Sequence, residues 1–189
     1  MVTSLIAYVA FLALLSLERI SELALSRRNA ARAFARGGVE VGQTHYRVMA
    51  TFHTLFLFSC AAESILVPRA FPGALGWVAL AGALAAQGLR YWAITTLGER
   101  WNVRVIVVPN APPVVAGPYR WVRHPNYVAV AIELFCVPLI HGAWLTALVF
   151  SIGNGLLMLV RIRAEEQALG HSYADAFAGT PRFIPGGKS

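Results

Sequence analysis

Apolar runs alternate with short basic segments along this chain. The first run covers residues 2–25, with Leu5, Ile6, Tyr8, Val9, Phe11, Leu12, Leu14 and Leu15 and no charge before Glu18. The second, 48–67, is stopped by Pro68 and carries His53 and Glu63. The third, 71–96, contains Gln87 and Arg90 beside Tyr91 and Trp92. Two more, 127–140 and 143–163, are separated only by the break at His141-Gly142. An apolar run of about 20 residues matches the roughly 30 Å hydrocarbon layer of a bilayer when helical. The pattern therefore predicts an all-α integral membrane fold with about five transmembrane helices, all within one domain over 1–189. The last two runs read as a helical hairpin that crosses and returns, which brings its polar ends, around Tyr127 and Arg161, to one side.

The segments between the runs sharpen this. The first helix is expected to continue through Arg27, Arg28, Arg32 and Arg36 and to end at Gly37-Gly38, a natural stop. Arg28, Arg32 and Arg36 share one face, where they can meet lipid phosphates. No basic leader precedes the first run and no small-residue cleavage pattern follows it, so it reads as a span, not a signal peptide. Basic residues within 27–47, 100–123 and 161–188 fall on one side of a five-span arrangement, and Arg69 and the His141-Gly142 turn on the other. The positive-inside bias then places the N-terminus outside and the C-terminus in the cytoplasm. Residues 97–124 hold a β-prone stretch, 103–108, and the breakers Pro109, Pro112 and Pro113, and read as a functional cytosolic loop. The tail is expected to break at Gly170 and become extended at Pro181 and Pro185.

Composition agrees. The chain is 57% hydrophobic and 13% charged, against about a quarter charged in soluble domains. The net charge of +7 does not indicate nucleic acid, because the basic residues are scattered over the short flanking segments. Cys60 and Cys136 lie inside apolar runs and read as packing residues. No histidine falls in a metal-binding spacing, and no glycine-rich nucleotide fingerprint is present.

Two polar clusters bracket the hairpin. In Arg123-His124-Pro125, Pro125 suits the first helical position and His124 the cap before it. The free N–H groups of such a helix start attract an anion, for instance a carboxylate. Tyr119 and Tyr127 flank it and can pack on a planar heterocycle. At the other end Arg161 and Glu165 share a helix face, with Glu166 turned aside. Alone, the first cluster is an ordinary proline-started helix and the second an interfacial ion pair of little weight. The hairpin gives them a common place.

Arg123-His124-Pro125-Asn126-Tyr127, a helical hairpin, and Glu165-Glu166-Gln167-Ala168-Leu169 together resemble the isoprenylcysteine carboxyl methyltransferase family. The tail Tyr173…Phe177…Pro181-Arg182-Phe183-Ile184-Pro185 is similar to that family's ending. The resemblance covers the C-terminal half and implies a membrane methyltransferase that uses S-adenosyl-L-methionine outside the Rossmann fold. It implies cofactor contacts from Tyr119, His124, Pro125, Asn126, Tyr127 and Glu165, with Val114 and its neighbours as further ones, and a substrate-facing Arg161. Arg90-Tyr91-Trp92, Thr96-Leu97-Gly98 and Trp101-Asn102 more closely resemble bacterial members encoded beside type III polyketide synthases, which O-methylate alkylpyrones or alkylresorcinols. Glu133 departs from the small or apolar residues common at that place.

The acceptor is therefore expected to be a lipophilic or prenylated molecule arriving from the bilayer, its nucleophile a carboxylate or a phenol or enol hydroxyl. A carboxylate needs only an orienting Arg161. A phenol with pKa near 10 calls for a base, and Glu133, Glu166 and His124 are the candidates, the intramembrane Glu133 first. Two other readings remain: an NADPH-dependent membrane reductase of the sterol-reductase type, and a non-catalytic membrane scaffold. A 2′-phosphate would want a tight basic cluster, whereas Glu165-Glu166 stand at the mouth.

Overall fold

The computed structural model describes residues 2–186; the last three residues of the tail, Lys188 among them, lie outside the described residues. Five long helices carry the fold: α1 (Val2–Ala35), α2 (Gln43–Leu66), α3 (Ala74–Leu97), α4 (Pro125–Leu139) and α5 (Trp144–Ala176). α1 stops where Gly37 takes φ 76°, a conformation open to a residue without Cβ, and Gly38 N–H closes on the Ala33 carbonyl at 2.9 Å. α5 runs past its apolar stretch and kinks at Gly170.

The chain is mostly helical, consistent with the expected all-α membrane fold, and adds one short β ribbon. Val39–Val41 (β1) pairs antiparallel with Val105–Val107 (β2), Glu40 opposite Ile106, so the β-prone loop becomes a strand. Arg104 fixes the ribbon through Glu40 at 3.0 Å and lies over the Phe34 ring.

Among the described residues, three helices are long and apolar enough to cross a membrane: α1, α2 and α5. α4 has 15 residues, about 22 Å at the helical rise, short of a full crossing by itself. α3 is long enough but is diluted by glycines, Gln87 and Arg90.

The helices pack through a small-residue seam. Ala79, Ala83, Ala86 and Ala93 are buried along one face of α3, and a Cβ at Gly82 would lie 2.8 Å from Cys136 Sγ. Small side chains let α3 and α4 approach closely, which in a bilayer replaces the hydrophobic drive available in water. Tyr8, Leu12, Phe56, Cys60, Val130, Leu134 and Val137 complete the core. The outer surface is apolar instead of polar: Leu14, Ile20, Phe58, Trp77, Leu148, Ile152 and Leu156 are exposed. This is the arrangement of a protein whose surroundings are lipid.

At one end of the bundle Glu63 of α2 does the capping that α5 lacks. Ala143 supplies no side-chain cap, and the Glu63 carboxylate accepts Thr146 N–H at 2.7 Å, Thr146 Oγ1 at 2.8 Å and Leu145 N–H at 3.2 Å. Arg69 closes the cluster by donating to Glu63 at 2.8 Å and to the Gly142 carbonyl. An anion at a helix start is stabilised by the N–H groups and by the helix dipole. Glu63→Ala is expected to lower stability by about 2 kcal/mol, measured by SDS titration of the purified protein, whereas an exposed change such as Leu148→Ala should stay well below that.

Candidate active site

α4 opens as the sequence suggested. His124 occupies the cap with Pro125 at the first helical position. Tyr127 and Val128 N–H both close on the His124 carbonyl, at 3.1 and 3.2 Å. Pro125 has no N–H, so the Asn126 N–H is left at the helix start, and the buried Asn126 Oδ1 has no partner among the described residues. The turn before it, Gly117–Arg120, starts on Gly117 at φ 54°. A Cβ there would collide with the Thr96 side chain and lie 3.1 Å from Trp92 Nε1, so this approach of loop to α3 requires glycine. It sets Tyr119 against Ala93 and Phe177.

The far end of the hairpin returns to the same place. Arg161 Nε donates to Tyr127 Oη at 2.9 Å, and the Tyr127 hydroxyl donates to Glu165 Oε2. Arg161 and Glu165, four apart on one face, thus join through the tyrosine of the other helix. The remaining Arg161 donors reach the Val103 carbonyl at 2.6 Å and Met49 Sδ at 3.7 Å. His124 stacks on Tyr127, rings 5.2 Å apart, and its Nε2–H donates to Glu166 Oε1 at 3.0 Å.

The tail locks this junction. Arg182 donates to both Glu166 oxygens, at 3.0 and 2.6 Å. Arg123 N–H bonds the Pro181 carbonyl, His124 N–H the Arg182 carbonyl, and Arg123 Nε the Thr180 carbonyl. Phe177 is fully buried and packs on Tyr173.

These residues enclose a cavity of about 790 Å³, within the usual range of roughly 300–1,000 Å³ for small-molecule sites. Val114, Tyr119, His124, Asn126, Tyr127, Arg161 and Glu165 line it, with Tyr173 and much of the loop from Leu97 onward. Pro125 and Glu166 do not: Pro125 shapes the helix start and Glu166 ties the tail down. Glu133 lines the cavity further in, and both its oxygens are taken by Arg90, one from Nε at 3.1 Å. Arg90, buried, lines the cavity too.

Electrostatics follow this packing. Burial and the Glu165 charge push the Tyr119 hydroxyl above its ordinary range, so it stays a neutral donor. Glu166 lies beyond the apolar stretch of α5. Burial pushes its carboxyl up, but hydrogen bonds and charge from Arg182 and His124 outweigh that and hold it below the ordinary 4.5.

Residues 77–171, half of the chain, match the model of the isoprenylcysteine carboxyl methyltransferase (ICMT) family. The chain belongs to that family. It is similar to a Bacillus subtilis (strain 168) protein described as "Uncharacterized protein YpbQ", 40% identical over 159 residues, 84% of this chain and 94% of the relative. An "Uncharacterized protein" of Haemophilus influenzae is 28% identical over 156 residues, 82% of this chain and 90% of that protein. ICMT proteins are membrane methyltransferases, and the long apolar helices agree with an integral membrane protein.

Sequence reasoning missed the tail clamp and the bridging role of Tyr127. The pairing of Glu166 with Arg182 could have been suspected from an acid and a base flanking a glycine break, but nothing in the sequence fixed which acid would be chosen. Because folding depresses the Glu166 pKa, its contribution is complete above about 4.5 and is lost as pH falls through the lower folded value. The wild type should lose thermal stability over that acid window, and Glu166→Gln should be less stable at neutral pH with a flatter acid limb.

Proposed function

We propose that this ICMT-family protein is an S-adenosylmethionine-dependent membrane O-methyltransferase acting on a lipophilic acceptor from the bilayer, with its cofactor pocket facing the cytoplasm of a bacterial inner membrane. The observation that carries the reading is the Arg161–Tyr127–Glu165 chain across the hairpin, which joins both polar clusters in one cavity.

The residues fit the cofactor. The unpartnered Asn126 Oδ1 is an acceptor for an ammonium group, and the Asn126 N–H at the helix start is a donor for a carboxylate. Glu165 would accept from ribose hydroxyls, and Tyr119, His124 and Tyr173 offer ring faces to the adenine. Val114 would close the pocket from the loop, and Pro125 would hold the helix start in register. When bound, S-adenosylmethionine supplies a methyl group on a positive sulfonium, open to direct displacement by the acceptor oxygen.

The chain's own part is to hold, orient and exclude water. Arg161 is fixed by Tyr127 and by the Val103 carbonyl, while its Nη1 meets only a thioether. That nitrogen is the donor left to orient an acceptor oxygen. A carboxylate acceptor, such as an isoprenylcysteine-type one, is ionised at neutral pH and needs nothing more. An acidic alkylpyrone enol ionises without help, whereas an alkylresorcinol hydroxyl must pass its proton to water before its oxygen displaces the sulfonium. Glu133, gripped by Arg90, acts as a positioning residue, since protonating it would break that pair. Glu166 supports the site through His124 and the tail.

Radiolabelled S-adenosylmethionine is expected to bind the detergent-purified protein while NADPH does not. Glu165→Gln should weaken that binding by about tenfold or more, the scale of a lost charge-assisted hydrogen bond. Arg161→Ala should leave cofactor binding nearly intact and lower kcat by about a hundredfold. Binding of NADPH alone would mark a reductase, and binding of neither a scaffold.

A further inference from the structure

The inner reach of the cavity holds a charged group of which the methyl-transfer reading uses only the Arg90–Glu133 pair. Glu18, Arg19 and Glu22 on α1 meet Gln87 and Arg90 on α3 and Glu133 on α4. Arg19 donates to Glu22 Oε2 and Glu18 Oε2, both at 2.9 Å, and to Gln87 Oε1 at 3.0 Å; its Nη2 lies 3.7 Å from Glu133 Oε1. Arg90, bound to Glu133, is 3.8 Å from Glu22 Oε2. One oxygen of Glu22 thus faces two guanidinium groups. The other, Oε1, is buried with no partner among the described residues, although Glu22 is only 7% exposed and lines the cavity. Three carboxyl groups thus share two guanidiniums.

His53 on α2 lines the same cavity. Its Nδ1 lies 2.8 Å from the Met49 carbonyl, which can only accept, so Nδ1 carries the ring proton. In a ring with a single proton Nε2 is then an acceptor, and it has no partner among the described residues. Besides Asn126 Oδ1 at the α4 start, the cavity therefore presents two unfilled acceptors further in, from α1 and α2, amid the apolar Leu15, Phe56, Leu57 and Leu134. Intramembrane ionisable groups are costly, and an unfilled acceptor adds to that cost unless a ligand supplies the donor.

We infer that Glu22, set in place by Arg19 and Arg90, and His53, held by the Met49 carbonyl, form a second polar subsite that accepts hydrogen bonds from a hydroxyl or ammonium group on the head of an apolar-tailed ligand. The subsite disfavours a bare carboxylate, which brings no donor and repels Glu22. That this ligand is the methyl acceptor rests on the methyltransferase reading; the binding itself does not.

The test uses the full-length protein in phosphatidylethanolamine/phosphatidylglycerol nanodiscs, with tryptophan fluorescence reporting binding. The probes are 3-pentadecylphenol, hexadecylamine and the methyl ether of the phenol, which lacks the donor. The phenol or the amine should bind at least about tenfold tighter than the ether, the scale of a hydrogen bond to a charged acceptor. Glu22→Gln and His53→Leu should each reduce that preference to about twofold or less, with S-adenosylmethionine affinity unchanged. If Glu22→Gln does not fold, His53→Leu, an apolar change on a membrane helix, decides. Equal binding of all three probes by the wild type, or full preference kept in the folded variants, would overturn the subsite. Donor preference in a protein that binds no S-adenosylmethionine would support the subsite while removing the methyltransferase reading.

Discussion

The site depends on one hydroxyl. Tyr127 begins α4 and stands between Arg161 and Glu165 near the end of the apolar part of α5, accepting from one and donating to the other. Without it, an arginine and a carboxylate four apart on one helix would pair with each other, and the two helix ends would be joined only through His124 and Glu166. The tyrosine separates the charges, keeps the arginine aimed at the cavity and commits only one oxygen of the carboxylate. Everything proposed for the site uses that separation: Glu165 with capacity for a cofactor, Arg161 with a nitrogen for the acceptor.

A second constraint is the handling of charge among apolar helices. Few charges are present, and those that are buried come in groups with complementary shapes: Glu63 with Arg69 and the α5 start, Arg90 with Glu133 and Glu22. The first group is filled by backbone and side-chain donors and serves packing. The second leaves an acceptor open inside a cavity. That contrast, more than the presence of charge, separates a structural cluster from one that waits for a ligand.

Much of the fold was legible because its punctuation is local. Pro125 after His124, Gly37-Gly38 after a basic helix and Gly170 in the tail each act within a turn of chain, and the helices begin or break at them. The hairpin was legible from run length alone. What was not legible is non-local. The pairing of residues 39–41 with 105–107 joins segments whose own patterns say only that one is β-prone. The first-helix charges Glu18, Arg19 and Glu22 look like an ordinary membrane boundary until α3 and α4 are placed beside them. The site motif could be read residue by residue, but not its wiring: Glu166 faces the tail, Glu165 the cavity, and Tyr127 sits between partners that sequence spacing would have joined directly.

The central claim is that the start of α4 and the end of α5 act as one binding unit. A double-mutant cycle on S-adenosylmethionine affinity, with Tyr127→Phe, Glu165→Gln and the double variant, addresses it most directly. Coupling of about 1 kcal/mol or more between the two changes is the predicted result. Strictly additive losses, with the cofactor indifferent to whether the pair is intact, would contradict the account.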